Sequence, residues 1–277
     1  MSAKRAFCII GWHFQEEFFR EVLSIPDADF YVLSHKARKA IPPYIIQELG
    51  EPQVLIRPNI GYDWGCYQQF LESGLWKGYE YLYFMHDDIE ILDIDFPRVC
   101  EDLLRNHAVI GNGGGNGPAS TTQVSRHPYA YAHSSWQPDS YEFQHKTVRG
   151  SFFATTAAVL ERIGGFEVYW DPWRVNIDFG NWSTKASCGK LQAAFGQDCF
   201  GYLSPTFGRS AYLIELYRGD TGEAESTSPG WRDKLYQFLK RTSVVYMEIL
   251  FRERELPLRR LWMIAIKLFL AVFSGRI

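Results

Sequence analysis

The chain has 277 residues, 46% of them hydrophobic and 16% aromatic, and a formal net charge of −3. That length suits one large domain, or one domain with a small appendage, and the composition excludes the disordered and fibrous classes. The near-neutral balance gives no electrostatic case for a nucleic-acid partner, and five scattered cysteines without CxxC spacing fit neither a disulfide framework nor a zinc knuckle, which favours a reducing cytosol.

The first apolar run, "RAFCIIGW" at residues 5–12, reads as a buried strand; it turns polar too soon for a signal peptide. "FQEEFFREVLSI" follows with helical spacing that sets Phe14, Phe18, Phe19 and Val22 on one face. "DFYVLSH" and "PQVLIRPN" read as the second and third strands. "DWGCYQQFLESGLW" reads as a helix capped by Asp63, and "YEYLYFM" as the fourth strand. A further helix, "FPRVCEDLLRNH", precedes a further strand, "HAVIGN". Strands alternating with helices predict an α/β fold with a mostly parallel sheet, and such sheets bind ligands outside the carboxyl ends of their strands.

The fourth strand runs straight into His86, Asp87 and Asp88. Adjacent carboxylates repel unless a cation offsets them, and a hard ion such as Mg²⁺ or Mn²⁺ takes oxygen ligands and bridges to phosphates. A solvated turn is the plain alternative. "RPNIGYDWG" (57–65) places Asn59, Gly61 and Asp63 in a loop opening a helix, where glycine admits close backbone approach and the helix N-terminus favours an anion. An ordinary capped turn reads equally. "VRGSFFATTAAVLERIGGF" (148–166) starts on Arg149 and Gly150 and ends on Gly-Gly-Phe, around a strand and a short helix with a glycine C-cap. "YWDPWRVNIDFGNW" (169–182) carries Asp171 and Asp178 among aromatics. Trp170, Trp173 and Trp182 suit stacking on sugar rings, and a carboxylate among them suits a general base. A surface loop pinned by buried tryptophans is the alternative there.

Other signals carry less. "GNGGGNGPAS" (111–120) lacks the Lys-Ser/Thr of a phosphate-binding P-loop and reads as a flexible active-site loop. His127, His133 and His145 are spaced 6 and 12 apart, which matches no compact metal motif. His13 and His35 follow strands, where histidine is usually structural.

In this order the stretches resemble the GT-A glycosyltransferases, a Rossmann-like nucleotide-diphospho-sugar transferase fold, and especially bacterial family 2-like enzymes that build surface polysaccharides. "NIGYDWGCYQQFL" is similar to the Asn-x-Gly-x-Asp segment of the rhamnan-synthesis group, and the resemblance spans residues 5 to 210. It implies that Asp88 holds a metal bound to the donor diphosphate, with His86 beside it in the slot of the motif's usual first Asp. Asp87 would be a second ligand or a contact to the donor ribose. Asn59, Gly61 and Asp63 would lie near the nucleotide-sugar, and Arg149 and Gly150 along the donor sugar. Asp178, twelve residues beyond Phe166, falls where inverting members keep the carboxylate that takes the acceptor proton. The implied cofactor is Mn²⁺ or Mg²⁺, and the implied donor a nucleotide-diphosphate sugar, with UDP favoured by family usage. The acceptor would be a saccharide, lipid-linked in the family's setting, of O-antigen or capsule synthesis.

The sequence departs from the pattern. The Glu-Asp pair that often carries the base is here Ile177-Asp178, and no histidine follows His145 to serve as a late metal ligand. Arg209 or Arg218 is an alternative phosphate contact by position. A nucleotidyltransferase reading lacks a glycine-rich, Arg/Lys-bearing signature after the first strand. A non-catalytic carbohydrate-binding protein would not need Asp88 and Asp178 together.

The C-terminus changes character. From Trp231 to Ile277 basic residues exceed acidic ones by six, which leaves the rest of the chain at −9. The apolar run Leu261–Phe273 has 13 residues interrupted by Lys267, short of the roughly 20 that cross a bilayer. Its tryptophan and flanking arginines suit a helix lying at a membrane surface, with packing on the body or in a homodimer interface as the alternative. These readings divide the chain into a catalytic domain at 1–215 and a helical, basic segment at 216–277, peripheral on the inner face of the cell membrane.

Overall fold

A computed structural model describes residues 5–57, 61–113, 147–168, 178–205 and 208–216, and for 178–182 the backbone alone. The described elements, in chain order, are β1 (Arg5–Ile10), α1 (Glu16–Val22), β2 (Ala28–Ser34), α2 (Pro43–Leu49), β3 (Val54–Ile56), α3 (Tyr62–Ser73), β4 (Tyr81–His86), β5 (Ile89–Ile91), α4 (Phe96–Leu104), β6 (Val109–Gly113), β7 (Phe152–Thr156), α5 (Ala157–Ile163), α6 (Asp178–Phe195), β8 (Phe200–Ser204) and β9 (Leu213–Glu215). They form a mixed α/β fold around a seven-stranded sheet of order β3-β2-β1-β4-β7-β6-β8. Strands β1 to β4 pair in parallel. β7 then runs antiparallel to both β4 and β6, and β8 is parallel to β6. A two-stranded sheet, β5 with β9, stands beside them.

Alternation along the strands divides the apolar residues between two faces. Ala6, Cys8, Ile10, Leu82 and Phe84 pack with Trp64, Tyr67 and Phe70 of α3 on one face. Phe7, Ile9, Tyr83 and Met85 pack with Phe18 and Phe19 of α1 and Phe96 of α4 on the other. Burial on both faces is why these strands read as continuous apolar runs. The first face is built on an aromatic stack: Phe153 lies 4.8 Å from Phe84 and 5.1 Å from Trp64, centroid to centroid, and Phe166 meets Trp64 edge-on at 5.0 Å. The indole N–H of Trp64 donates to Thr184 Oγ1 at 2.7 Å, so the ring's one polar atom is satisfied. All five cysteines are free and buried.

The sequence reading needs correction at several elements. α1 begins at Glu16, so Phe14 precedes the helix; it is nevertheless buried, in a left-handed backbone conformation with φ 55°. The third strand is only Val54–Ile56, and α2, β5, β8 and β9 had no counterpart in the reading. Asp63 does not cap α3: Gly61 is the N-cap, at φ 79°, and Asp63 sits in the first turn, where the helix dipole favours a carboxylate. The glycine C-cap holds, at Gly164 with φ 68°, and Thr156 caps the same helix by accepting from Val159 N–H. The stretch read as an aromatic loop at 169–182 enters α6 at Asp178; residues 169–177 lie outside the described residues. So does everything after 216, including the basic tail, and among the described residues no helix is long and apolar enough to cross a membrane.

Phe153 joins β4, α3 and the Gly-Gly-Phe turn. Phe153→Ala is expected to cost about 3–5 kcal/mol, the range for a fully buried aromatic, and to lower the urea midpoint with little change in slope.

Candidate active site

The direction of β7 builds the site. Because β7 opposes β4, its first residues lie beside β4's last ones, and the His86 N–H donates to the Ser151 carbonyl at 2.9 Å. Arg149 and Gly150 are thereby brought to the same sheet edge as His86 and Asp88. α3 enters this edge with its N-terminus. The backbone turns into it at Gly61, where an added Cβ would collide with Val168.

Period-2 alternation continues past the end of β4 and sorts the three polar residues. His86 and Asp88 follow Leu82 and Phe84 toward the α3 face, and Asp87 follows Tyr83 and Met85 toward α1. On the α3 face the His86 ring lies between two carboxylates: Nε2 is 3.4 Å from Asp63 Oδ1, and Nδ1 is 3.6 Å from Asp88 Oδ1. Gly150 closes on the far side of Asp63, since a Cβ there would stand 2.5 Å from Asp63 Oδ2. The Gly150 carbonyl in turn accepts from the Tyr67 hydroxyl at 2.5 Å. Asp63, His86, Asp88 and Gly150 thus meet at one place, with Arg149 exposed next to Gly150 in the chain.

Charge sets the protonation of this group. Burial disfavours an imidazolium, but the Asp63 and Asp88 carboxylates outweigh it and hold the His86 pKa well above the ordinary imidazole value. Burial likewise opposes ionisation of Asp63, and the charge and hydrogen bonding of His86 reverse it, leaving that carboxyl below its usual range.

Asp87 is placed elsewhere. It is 1% exposed, and its Oδ2 accepts backbone N–H groups from Trp12, His13 and Phe14 at 2.9, 2.8 and 2.6 Å. Burial pushes this carboxyl up, against the pull of those donors. The structure therefore gives Asp87 to the β1–α1 loop rather than to the open edge. Asn59, Trp170 and Trp173 lie outside the described residues, as do the side chains of Asp178 and Trp182. Arg209 is exposed and bridges to Ile214, and Arg218 lies outside the described residues.

The structure adds residues that no sequence pattern marks. The Ser151 hydroxyl donates to Glu215 Oε2 at 2.5 Å, and β9, which carries Glu215, is tied to the end of β4 through Leu216 N–H to the Asp88 carbonyl at 2.9 Å. Glu215 is distant in sequence and sits on a three-residue strand, too short for a periodic signal.

Among the described residues, Asp63 and Asp88 are the carboxylates beside His86 at this edge, with side chains 42% and 13% exposed. Both ring nitrogens of His86 face carboxylates, at 3.4 and 3.6 Å, which favours the charged ring. Among the described residues no three His, Cys, Asp or Glu side chains are grouped to hold a metal. Mg²⁺ and Mn²⁺ are commonly bound through one or two carboxylates together with substrate phosphates, and Asp63 and Asp88 are donors of that chemical kind.

The sequence matches no family model and no curated protein. Solved structures align loosely. A protein assigned as a nucleotide-diphospho-sugar transferase from Desulfovibrio desulfuricans aligns over 40% of this chain and 58% of its own, at 10% identity and a TM-score of 0.33. This chain thus spans less than two thirds of that protein. A197 from STIV aligns over 73% and 82%, at 15% identity and 0.34. A protein assigned as a glucose-1-phosphate thymidylyltransferase from Bacillus anthracis, in complex with sucrose, aligns over 88% and 96%, at 8% identity and 0.41. Scores of this size carry no residue correspondence, so roles at the site rest on this chain's own geometry.

The raised His86 pKa makes a signed prediction. A raised folded-state pKa gives stability that is complete below the ordinary imidazole value and is lost as pH rises through the folded-state value. The melting temperature should fall as pH moves from neutral into the alkaline range, and His86→Gln should flatten that slope. The depressed Asp63 works oppositely, its share being lost as pH falls below the usual carboxylate range. Melting curves across pH for both proteins check this; parallel curves would remove the imidazolium from the site.

Proposed function

We propose that this chain is a glycosyltransferase of the GT-A type that uses a nucleotide-diphosphate sugar. The observation that carries the reading is the meeting of Asp63, Asp88 and Gly150 around His86 at the carboxyl edge of the parallel strands, where sheets of this kind receive ligands. Gly61 and Gly150 bare the backbone there. Arg149 adds a cation for a phosphate or sugar oxygen. The β1–α1 loop argues against a nucleotidyltransferase, because its amides are already taken by Asp87.

In this reading Asp88 holds Mn²⁺ or Mg²⁺ with the donor diphosphate, an ion that offsets charge on the leaving group when bound. Asp63, Gly61 and Asn59 border the nucleotide, and Arg149 and Gly150 the donor sugar. The acceptor hydroxyl oxygen attacks the anomeric carbon while the bond from that carbon to the diphosphate oxygen breaks. The electron pair leaves with the nucleoside diphosphate, the acceptor proton passes to Asp178, and attack on the face opposite the leaving group inverts the anomeric centre. Trp170, Trp173 and Trp182 stack on the acceptor. We assign UDP as the nucleotide, a lipid-linked saccharide of O-antigen or capsule synthesis as the acceptor, and the basic segment 216–277 to the inner membrane surface.

Thermal stability with UDP, GDP, dTDP and CMP, each with Mn²⁺ or with EDTA, tests the reading. One nucleotide should raise the melting temperature in Mn²⁺, by an amount corresponding to about 2.7 kcal/mol at a hundredfold excess over Kd. Asp88→Ala should abolish the metal-dependent part. A shift that ignores EDTA and Asp88→Ala removes the metal role. No shift with any nucleotide favours the carbohydrate-binding alternative, in which Trp170→Ala rather than Asp88→Ala abolishes oligosaccharide binding.

A further inference from the structure

The β1–α1 loop, Gly11 to Gln15, is held more firmly than a surface turn requires. Three consecutive backbone N–H groups, of Trp12, His13 and Phe14, converge on one oxygen of Asp87. Successive amides turned inward in this way form a concavity that suits an anion. The backbone accepts strain to make it, since φ is 55° at Phe14, a region that a bulky residue rarely occupies.

Other contacts close the loop around the same point. The Tyr44 hydroxyl donates to the Phe14 carbonyl at 3.0 Å, and Ser34 Oγ donates to the Gly11 carbonyl at 2.6 Å. Gly11 leaves no room for a Cβ, which would stand 2.7 Å from the Phe14 ring and 2.8 Å from a Val32 methyl. The Lys36 ammonium lies 5.2 Å from the centre of the Trp12 ring and 5.8 Å from that of Phe14. Among the described residues, the second oxygen of Asp87 is buried without a hydrogen-bond partner, and the hydrogen bonds this carboxylate accepts come from the loop.

We propose that Asp87 is a positioning residue whose carboxylate fills the amide nest from within the chain, fixing the β1–α1 loop before any ligand binds and directing ligand phosphate to the Asp88 side of the edge. The first part stands on the loop geometry; the second rests on the nucleotide-sugar reading above. An internal anion makes the loop rigid in the free protein, whereas a nest left open would order only with its ligand.

Amide hydrogen exchange on the full chain, without nucleotide, tests the first part. The Trp12, His13 and Phe14 amides should be protected like those of β1; exchange at the rate of an open loop overturns the proposal. In Asp87→Ala these amides should exchange faster by on the order of tenfold or more. Sodium formate, which returns a free carboxylate, should restore protection, and sodium chloride at equal ionic strength should not. Equal effects of the two salts, or an exchange rate that the substitution leaves unchanged, overturn it as well. Asp87→Asn keeps an oxygen acceptor without the charge and should fall between wild type and Asp87→Ala; should Asp87→Ala fail to fold, Asp87→Asn and the wild-type exchange decide.

The second part is read from nucleotide affinity. The nucleotide that shifts wild type should bind Asp87→Ala more weakly and recover with formate. Unchanged affinity in Asp87→Ala overturns the phosphate-directing part. Protection and rescue without any nucleotide shift in wild type would keep the positioning role and sink the nucleotide-sugar reading.

Discussion

One reversal of strand direction governs the site. Were β7 parallel to β4, Arg149 and Gly150 would open at the opposite edge of the sheet, far from His86 and Asp88. Because it is antiparallel, the start of one strand meets the end of the other, and residues 65 positions apart become neighbours through a single backbone hydrogen bond, His86 N–H to the Ser151 carbonyl. Phe153 enforces the pairing from the core side by stacking on Phe84 across the ladder and on Trp64 of α3. The packing that aligns β7 therefore also sets the N-terminus of α3 and, with it, Asp63.

The polar groups at that edge are balanced among themselves. Asp63 and Asp88 share the His86 ring, and Asp87 is drawn to the other face, where three N–H dipoles receive it. Three carboxylates crowd one region without three charges meeting. The arrangement sets two carboxylates, Asp63 and Asp88, on either side of an imidazole whose charged form they favour.

Much of this was legible in the chain, and the exceptions have physical causes. β1, β2 and β4 are buried on both faces, so their apolar runs announce them. β5 and β9 are three residues each and make a ladder only with each other, a long-range fact no local pattern records. The direction of β7 is tertiary and invisible to propensity. Phe14 read as helical because its burial mimics the spacing of Phe18, while its actual conformation is imposed from outside by Asp87 and Tyr44. His86, Asp87 and Asp88 were legible as a polar strand end, but their division was missed, although alternation past Met85 predicts it. Glu215 had no signal at all. Asp178 is read as the first residue of α6, and its side chain lies outside the described residues.

The five free thiols have a consequence for handling and for history. Each is buried, and burial raises the thiol pKa of Cys8, Cys66, Cys100 and Cys188, so none offers an exposed thiolate. Cys66 lies 2.8 Å from His35 Nε2, yet that imidazole is itself kept neutral by burial. The five cysteines form no disulfide to lose under reductants, and none exposes its thiol to oxidants. A thiol reagent added to the native protein would act as a clock for unfolding, counting the moments when the core opens.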